Sequence, residues 1–338
     1  MLRLLLNIII VSLALLVTSC FKDDELVARH VPGNYTTDTI DLTSYYKNQV
    51  YYSLSDSNSV IVNNKDLWDL GFESTPSGWR VILNSSCFMK SALLNGQNFG
   101  SPADTTGSKW LFNPSDGSAD SLVVGKWFTD NGTAIKKGSS HLLLLDRGLD
   151  VDGEPRGFSQ LVIDSLVNDT YYFRIAEMNG TNPKSYSVAK KAGVNNVLFS
   201  ISNPALVISE PGNTSWDLLF SQYTTLLYTE TGDPYPYLVT GVLLNAASVE
   251  VAVDSITPFS NINFEIAQTM HFSNQADRIG YNWKKYDFDA GSYTTNSDIS
   301  YIIRDTKGFL YKLRFIGFYK YVNKRLQKGY PSFEYQKL

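Results

Sequence analysis

The chain has few residues of the kinds that usually carry out catalysis or bind metal ions. Its 338 residues include three histidines, two cysteines and four methionines. It contains no His-Glu-x-x-His, no phosphate-binding glycine loop, no Gly-x-Ser-x-Gly and no cysteine pairs at metal-binding spacing. We therefore expect no enzyme activity and no bound metal ion. A hydrolase whose triad is dispersed along the sequence is the alternative, because a spatial triad leaves no local motif.

Charge is also scarce, and this limits the partners. Charged residues make up 18% of the chain and the formal net charge is −4. Without a cluster of Lys and Arg, nucleic acid is not an expected partner. Aromatic residues instead reach 13%, with 21 tyrosines. Together with many Ser, Thr and Asn residues, this composition is typical of strands and turns.

The N-terminus carries the one long apolar run, from Leu4 to Val17, which is too short to span a bilayer. A basic residue before the run and small residues after it predict a secretory signal peptide at residues 1–19. Cys20 follows these small residues and resembles the lipobox of bacterial lipoproteins, so we expect Cys20 to be acylated. The membrane would then be reached through a lipid anchor only. Cys87 is left without a partner, so no intrachain disulfide is expected.

The residues after Cys20 bear on which side of the membrane the protein faces. Residues 21–25, Phe-Lys-Asp-Asp-Glu, resemble the export signal that places lipoproteins of Bacteroidetes bacteria on the outside of the outer membrane. The resemblance implies outer-membrane localisation facing the cell exterior, with a periplasm-facing anchor as the alternative. Residues 20–44 are polar and contain Pro-Gly-Asn at 32–34, which predicts a tether leading into the fold.

Apolar residues alternate with a period of two along most of the chain. In residues 310–315, and again in 170–175, aromatic and aliphatic side chains share one face while charged or polar ones share the other. Turn sequences such as Asp-Asn-Gly at 130–132 and Asn-Gly at 179–180 separate such runs. We predict an all-β, antiparallel fold.

The sequence also predicts an internal duplication of two similar halves, residues 45–192 and 195–338. Residues 66–72 are echoed by 215–220, residues 78–84 by 239–245, and residues 161–175 by 301–315, in the same order. Chance similarity among aromatic strands is the alternative. Each half contains a Trp-Asp pair, Trp68-Asp69 and Trp216-Asp217. We expect both pairs to be structural, with a buried indole and an aspartate accepting backbone hydrogen bonds, although the tryptophans could instead stack on a ligand.

Several segments resemble the HmuY-like family of Bacteroidetes surface lipoproteins. They include Trp-Asp-Leu-Gly-Phe-Glu at 68–73, Trp-Asp-Leu-Leu-Phe at 216–220, Tyr-Pro-Tyr-Leu-Val-Thr-Gly-Val at 235–242 and Gly-Tyr-Pro-Ser-Phe-Glu-Tyr at 329–335. The resemblance covers the chain from about residue 60 onwards, and the chain is longer than typical members, as in a long branch of the family. It implies an all-β fold, surface attachment, and capture of haem for delivery to an outer-membrane receptor.

The resemblance implies axial ligands from histidine or methionine, both of which suit haem iron. The candidates are Met270 and His271, with His141 as a third; Tyr281 and Tyr286 lie near the first two in sequence. If Met270 and His271 lie on a strand, only one of them can face the iron. A core methionine and surface histidines are the alternative reading. The competing function is a non-catalytic surface binder of glycan or another small ligand on the same scaffold.

Overall fold

Antiparallel strands make up nearly all of the regular structure, and the all-β prediction is confirmed. The computed structural model describes residues 32–129 and 135–338. The predicted signal peptide, Cys20 and the first part of the predicted tether lie outside the described residues. One short α-helix is present in the described part, α1 (Phe264–Gln268), and its N-cap Asn263 accepts a hydrogen bond from the Ile266 N–H. No helix in that part is both long and apolar enough to cross a membrane.

One hydrophobic core, called core A here, is built from a continuous stretch of chain. Its strands are β4 (Leu70–Glu73), β5 (Val81–Leu83), β6 (Lys90–Leu93), β7 (Trp110–Leu111), β8 (Phe128–Thr129), β9 (Lys136–Gly138), β10 (Leu143–Asp146), β11 (Phe158–Val167), β12 (Thr170–Glu177), β13 (Lys184–Ala189), β14 (Asn196–Phe199) and β15 (Val207–Ser209). They form one sheet in the order β15-β14-β4-β5 and another in the order β13-β12-β11-β10-β6-β7, with β9 joining β8 to β11. Phe72, Phe173 and Phe199 pack together between the two sheets.

The other hydrophobic core, core B, combines the two ends of the described chain. Its strands are β1 (Thr36–Thr39), β2 (Asn48–Ser53), β3 (Asn58–Asn64), β16 (Leu218–Tyr228), β17 (Pro234–Leu244), β18 (Glu250–Asp254), β21 (Ser300–Arg304), β22 (Leu310–Val322) and β23 (Arg325–Lys337). They form sheets in the orders β17-β16-β2-β3 and β1-β23-β22-β21-β18. A separate hairpin is made by β19 (Lys284–Asp287) and β20 (Ser292–Thr295). Phe220, Phe315 and Phe333 pack at the centre of core B.

The strands of the two cores correspond in order and in pairing. Strands β1–β3 precede the first Trp-Asp pair but join the sheets of β16–β23, whereas β13–β15 precede the second pair but join the sheets of β4–β12. The cores therefore do not divide the chain at residues 192–195, where the sequence placed the boundary between halves, because each half contributes its first strands to the other core. The duplication itself remains a prediction, and this reciprocal arrangement supports it.

Both Trp-Asp pairs have the structural role that the sequence predicted. Trp68 and Trp216 are 7% and 4% exposed. Asp69 accepts a hydrogen bond from the Ile201 N–H at 2.7 Å, and Asp217 accepts one from the Leu54 N–H at 2.8 Å. Each aspartate thereby fixes the chain just after the strand supplied by the other half.

The fold begins earlier than the predicted tether of residues 20–44 would allow. The Gly33 N–H donates to the Lys337 carbonyl at 2.9 Å, and β1 pairs with β23 over its whole length. Ile40 and Leu42 are buried in core B. The polar composition of this segment concealed an edge strand, since an edge strand has one exposed face and needs few apolar residues.

Candidate functional site

The three predicted haem ligands lie in different surroundings. Met270 follows α1 and is half-buried against a small apolar cluster that includes Ala267 and Ile302, while His271 beside it is exposed. Neither residue is on a strand, so the expected alternation between strand faces does not apply to them. His141 is exposed just before β10 and lines a cavity of about 210 Å³ at the edge of core A. Among the described residues, no group of three or more His, Cys, Asp or Glu side chains could hold a metal ion.

The Cys87 thiol does not offer a ligand either. It is fully buried and lies 3.4 Å from the Lys65 carbonyl, to which it donates. Burial raises the pKa of Cys87 to about 12. Since the thiolate is the metal ligand and the nucleophile, a thiol protonated at neutral pH is inert, as expected for a small buried hydrophobe.

A long hairpin distinguishes core B from core A. Asn84 and Asn245 occupy matching positions, because each donates its side-chain N–H to the carbonyl of its half's tryptophan at 2.9 Å. Trp68 and Asn84 are 16 positions apart, whereas Trp216 and Asn245 are 29 apart. The additional residues extend β16 and β17 into an outer hairpin, residues 224–238. It can contain Pro234 and Pro236 because β17 is at the edge of its sheet, where a missing N–H breaks no ladder.

The outer hairpin displays exposed apolar and aromatic side chains. Pro236 pairs with Leu226 and Pro234 with Tyr228, while Tyr235 and Tyr237 point to the opposite face because neighbouring strand residues alternate. Tyr228 is 65% exposed and Tyr237 is 53% exposed. Hydrophobic side chains grouped on a surface in this way mark a binding site more often than scattered ones do.

Tyr235 and Tyr237 belong to a group of phenols that five separate parts of the chain bring together. This tyrosine cluster consists of Tyr46, Tyr235, Tyr237, Tyr281, Tyr286, Tyr293 and Tyr319. The rings of Tyr235 and Tyr237 are 6.4 Å apart and those of Tyr286 and Tyr293 are 4.9 Å apart, both in edge-to-face geometry. The Tyr293 N–H donates to the Tyr319 hydroxyl at 2.7 Å.

Burial and mutual proximity determine the charge state of these phenols. Burial first, and then the neighbouring phenols of Tyr293, Tyr319 and Tyr237, raise the pKa of Tyr46 well above its usual value. Burial likewise raises the pKa of Tyr293. These inner tyrosines therefore stay protonated at physiological pH.

Two lysines accompany the tyrosine cluster. Lys284 Nζ lies 4.5 Å from the Trp283 ring centroid and 5.6 Å from that of Tyr293, and it donates to the Thr240 carbonyl. Burial lowers the pKa of Lys284 to about 7. Lys328 Nζ is exposed and lies 5.4 Å from the ring centroid of Tyr46. A cation at the margin of an aromatic surface can pair with a carboxylate of a bound ligand.

The sequence identified only part of this cluster, because its members are spread from position 46 to position 319. Tyr281 and Tyr286 were considered, but only for their closeness in sequence to Met270. The sequence did contain a signal for the rest. The distance from the tryptophan to the following asparagine is 13 residues longer in the second half than in the first. An additional segment of that size, rich in Tyr and Pro, is where a function would be added to a scaffold.

Chemically, the cluster can bind a flat, partly anionic ligand. Phenol oxygen is an axial ligand of haem iron, aromatic rings provide an apolar wall, and lysine pairs with carboxylates.

Several solved structures are similar to this chain. A HmuY analogue of Tannerella forsythia, solved without ligand, is 7% identical with a TM-score of 0.26, covering 92% of this chain and 98% of its own. A protein of Bacteroides vulgatus described as HmuY-like and heme-binding is 13% identical with a TM-score of 0.18, covering 49% of this chain and 89% of its own. A protein of Bacteroides fragilis described as a lipoprotein is 15% identical with a TM-score of 0.17, covering 50% and 91%. At such values no residue of theirs can be equated with one of this chain.

Among curated proteins, none matches this sequence. The family model described as HmuY protein, in contrast, matches residues 45–335, which is most of the chain and includes core A, nearly all of core B after β1, the outer hairpin and the tyrosine cluster. The chain therefore belongs to the HmuY family.

Proposed function

We propose that this protein is a non-catalytic, lipid-anchored protein of the outer membrane that faces the cell exterior and captures haem as cargo for an outer-membrane receptor. Membership of the HmuY family supports haem as the ligand. The observation that carries the proposal is the tyrosine cluster, in which phenols, apolar rings and Lys328 meet at one surface.

The iron ligand in this proposal is the phenol oxygen of Tyr237. Tyr237 is half-exposed, and its phenol lies near those of Tyr46 and Tyr293. Phenolate oxygen holds ferric haem iron in some haem proteins, and the surrounding rings would exclude water from the porphyrin. The ammonium of Lys328, beside the Tyr46 ring, would pair with a propionate. Met270, His271 and His141 remain as alternative ligands.

The test is a haem titration of the unlipidated Cys20→Ala chain, followed by its visible absorption spectrum. We expect a saturable one-to-one shift of the Soret band and a ferric phenolate charge-transfer band. Tyr237→Phe should abolish the charge-transfer band and weaken binding at least tenfold. Tyr228→Phe is the matched control, because Tyr228 is on the opposite face of the same hairpin.

Two results would contradict this assignment. In the first, the Soret shift is lost in Met270→Ala, His271→Ala or His141→Ala and is unchanged in Tyr237→Phe. The iron ligand would then be one of the residues that the sequence suggested. No spectral shift with either ferric or ferrous haem would reject haem as the cargo.

The proposed location is tested separately. Radiolabelled fatty acid should be incorporated into the wild-type chain and not into Cys20→Ala, because Cys20 is the proposed acylation site. Protease added to intact cells should remove the protein if it faces outwards. A protein that is protected in intact cells and digested only after lysis would face the periplasm.

A further inference from the structure

The outer hairpin forms one wall of a cleft on the side away from Tyr235 and Tyr237. Within the described chain, β2 pairs with β16 only over Leu218–Phe220, so the outer part of that edge of β16 lacks a neighbouring strand. Residues 110–116, which begin with β7, run beside this free edge. They enclose a cavity of about 600 Å³ together with Leu226 and Pro236 of the hairpin.

Polar contacts hold the two walls of the cleft together. Ser115 Oγ donates to Asp277 Oδ2 at 2.5 Å and lies 2.9 Å from Thr225 Oγ1. The Ala276 N–H donates to the Asp116 carbonyl at 2.9 Å. The segment 276–277 therefore ties the wall from core A to the hairpin of core B, and the cleft is preformed.

The cleft is formed by β7 and the outer hairpin, two segments that are each present in only one of the two cores. Among the described strands, β7 is the one without a counterpart in core B, and the outer hairpin has none in core A. Neither Trp110 nor Leu226 belongs to either main core. Trp110 packs on a smaller apolar cluster that includes Leu142, and Leu226 is exposed. Neither main core therefore accounts for the meeting of these two segments, and a ligand is a reason for it.

The lining selects the class of ligand. Trp110, Phe112, Leu226 and Pro236 supply apolar walls. The polar groups are hydroxyls, the Asn113 amide and two carboxylates, those of Asp116 and Asp277; the described lining contains no Lys, Arg, His, Cys, Met or Tyr. It therefore offers no usual ligand for haem iron and no cation for a propionate.

A neutral saccharide matches this combination. Aromatic side chains pack on the apolar face of a sugar ring, while hydroxyls, amides and carboxylates accept and donate hydrogen bonds at its rim. Acidic groups without cations disfavour an anionic ligand. We propose that this cleft, lined by Trp110, Phe112, Leu226 and Asp277, is a second binding site that takes a neutral saccharide.

The test uses the unlipidated Cys20→Ala chain with maltose, cellobiose and N,N′-diacetylchitobiose as probes. Saturation-transfer NMR and calorimetry should show that at least one of them binds saturably. Trp110→Ala should weaken that binding at least tenfold. Leu226→Arg, at a residue that is 52% exposed, should block it without a folding defect. Tyr321→Ala, at an exposed aromatic residue elsewhere on the surface, is the control and should bind normally.

Binding of none of the three saccharides would overturn the proposal, and so would undiminished binding by the folded Leu226→Arg variant. The result is independent of haem capture. Trp110→Ala should still shift the Soret band, and Tyr237→Phe should still bind the saccharide, so the failure of one site leaves the other standing.

Discussion

Cores A and B have corresponding strand orders, but the hairpins that follow their Trp-Asp pairs, β4–β5 and β16–β17, differ in length and in what covers them. In core A the short β4–β5 hairpin is closed by the Glu73–Arg80 ion pair at 2.8 Å and by Lys190 Nζ, which donates to the Thr75 and Gly78 carbonyls. In core B the corresponding hairpin extends outwards and meets the tyrosine cluster. An ion pair and hydrogen bonds thus close this hairpin in core A, whereas the corresponding hairpin of core B carries exposed phenols and borders a cleft.

The buried aspartates of the two cores also differ in charge pairing, which, within the described chain, is again found in core A and not in core B. Asp69 pairs with Arg147 and Arg156, each at 2.9 Å. Asp217 accepts hydrogen bonds from the N–H groups of Leu54 and Thr306. No cation of the described residues pairs with it, and burial raises its pKa. Both aspartates thus accept a backbone hydrogen bond at the corresponding place, but only Asp69 is also paired with cations.

The largest effect is expected from removing β1–β3, because core B combines the two ends of the described chain whereas core A is one continuous stretch. Deleting residues 33–64 removes β1–β3 and the buried side chains of Ile40, Leu42, Val50, Tyr52 and Leu54 from core B. Core A loses none of its strands. We expect hydrogen exchange to show loss of protection across residues 218–335 and retained protection across residues 70–199. Equal loss of protection in both cores would mean that they fold as one cooperative unit.

The next effect separates the two aspartates. Asp69→Ala leaves two buried guanidinium groups without their carboxylate and should cost about 3–5 kcal/mol of unfolding free energy. Asp217→Ala leaves unpaired N–H groups and should cost about 1–3 kcal/mol. Urea denaturation of both variants in the Cys20→Ala background measures the difference. Equal costs would show that the arginines add nothing to the Asp69 site.

The buried Lys284 of core B should make stability depend on pH. The strand after Trp127 begins with Phe128 in core A, whereas the strand after Trp283 begins with Lys284 in core B. Because the folded pKa of Lys284 is lowered to about 7, the unfolded chain binds more protons between pH 7 and 10, and stability should rise with pH across that range.

We expect that rise to be about 3 kcal/mol at most. Lys284→Met should remove it, and Lys285→Met, at the exposed neighbouring position, should leave it intact. Urea denaturation at pH 7 and pH 9.5 measures both. A rise that persists in Lys284→Met would assign it to another group.

The smallest effect on stability should come from making core B resemble core A. Replacing residues 226–236 by a two-residue Asn-Gly turn removes mostly exposed side chains, so we expect a change of less than about 1 kcal/mol. The same variant should lose saccharide binding, because it lacks Leu226 and Pro236. It keeps Tyr237 but lacks the neighbouring Tyr235 ring, so haem should bind more weakly. A large loss of stability would show that the outer hairpin is structural.

Local patterns in the sequence determined much of what the structure contains. Alternation with a period of two predicted the antiparallel strands, as in residues 310–315 and 170–175. A large indole beside an acceptor predicted the buried, hydrogen-bonded Trp68-Asp69 and Trp216-Asp217 pairs. These features depend on neighbouring residues only, so they can be read directly from the chain, and family resemblance added haem as a candidate ligand.

Tertiary structure alone decided which strands pair and which distant residues meet. A period of two fixes the buried face of a strand, but backbone hydrogen bonds are the same for any partner. The sequence therefore did not show that β2 pairs with β16 and β14 with β4. The tyrosine cluster and the cleft arise from that same long-range pairing, because it brings Tyr46 to Tyr237 and Ser115 to Asp277.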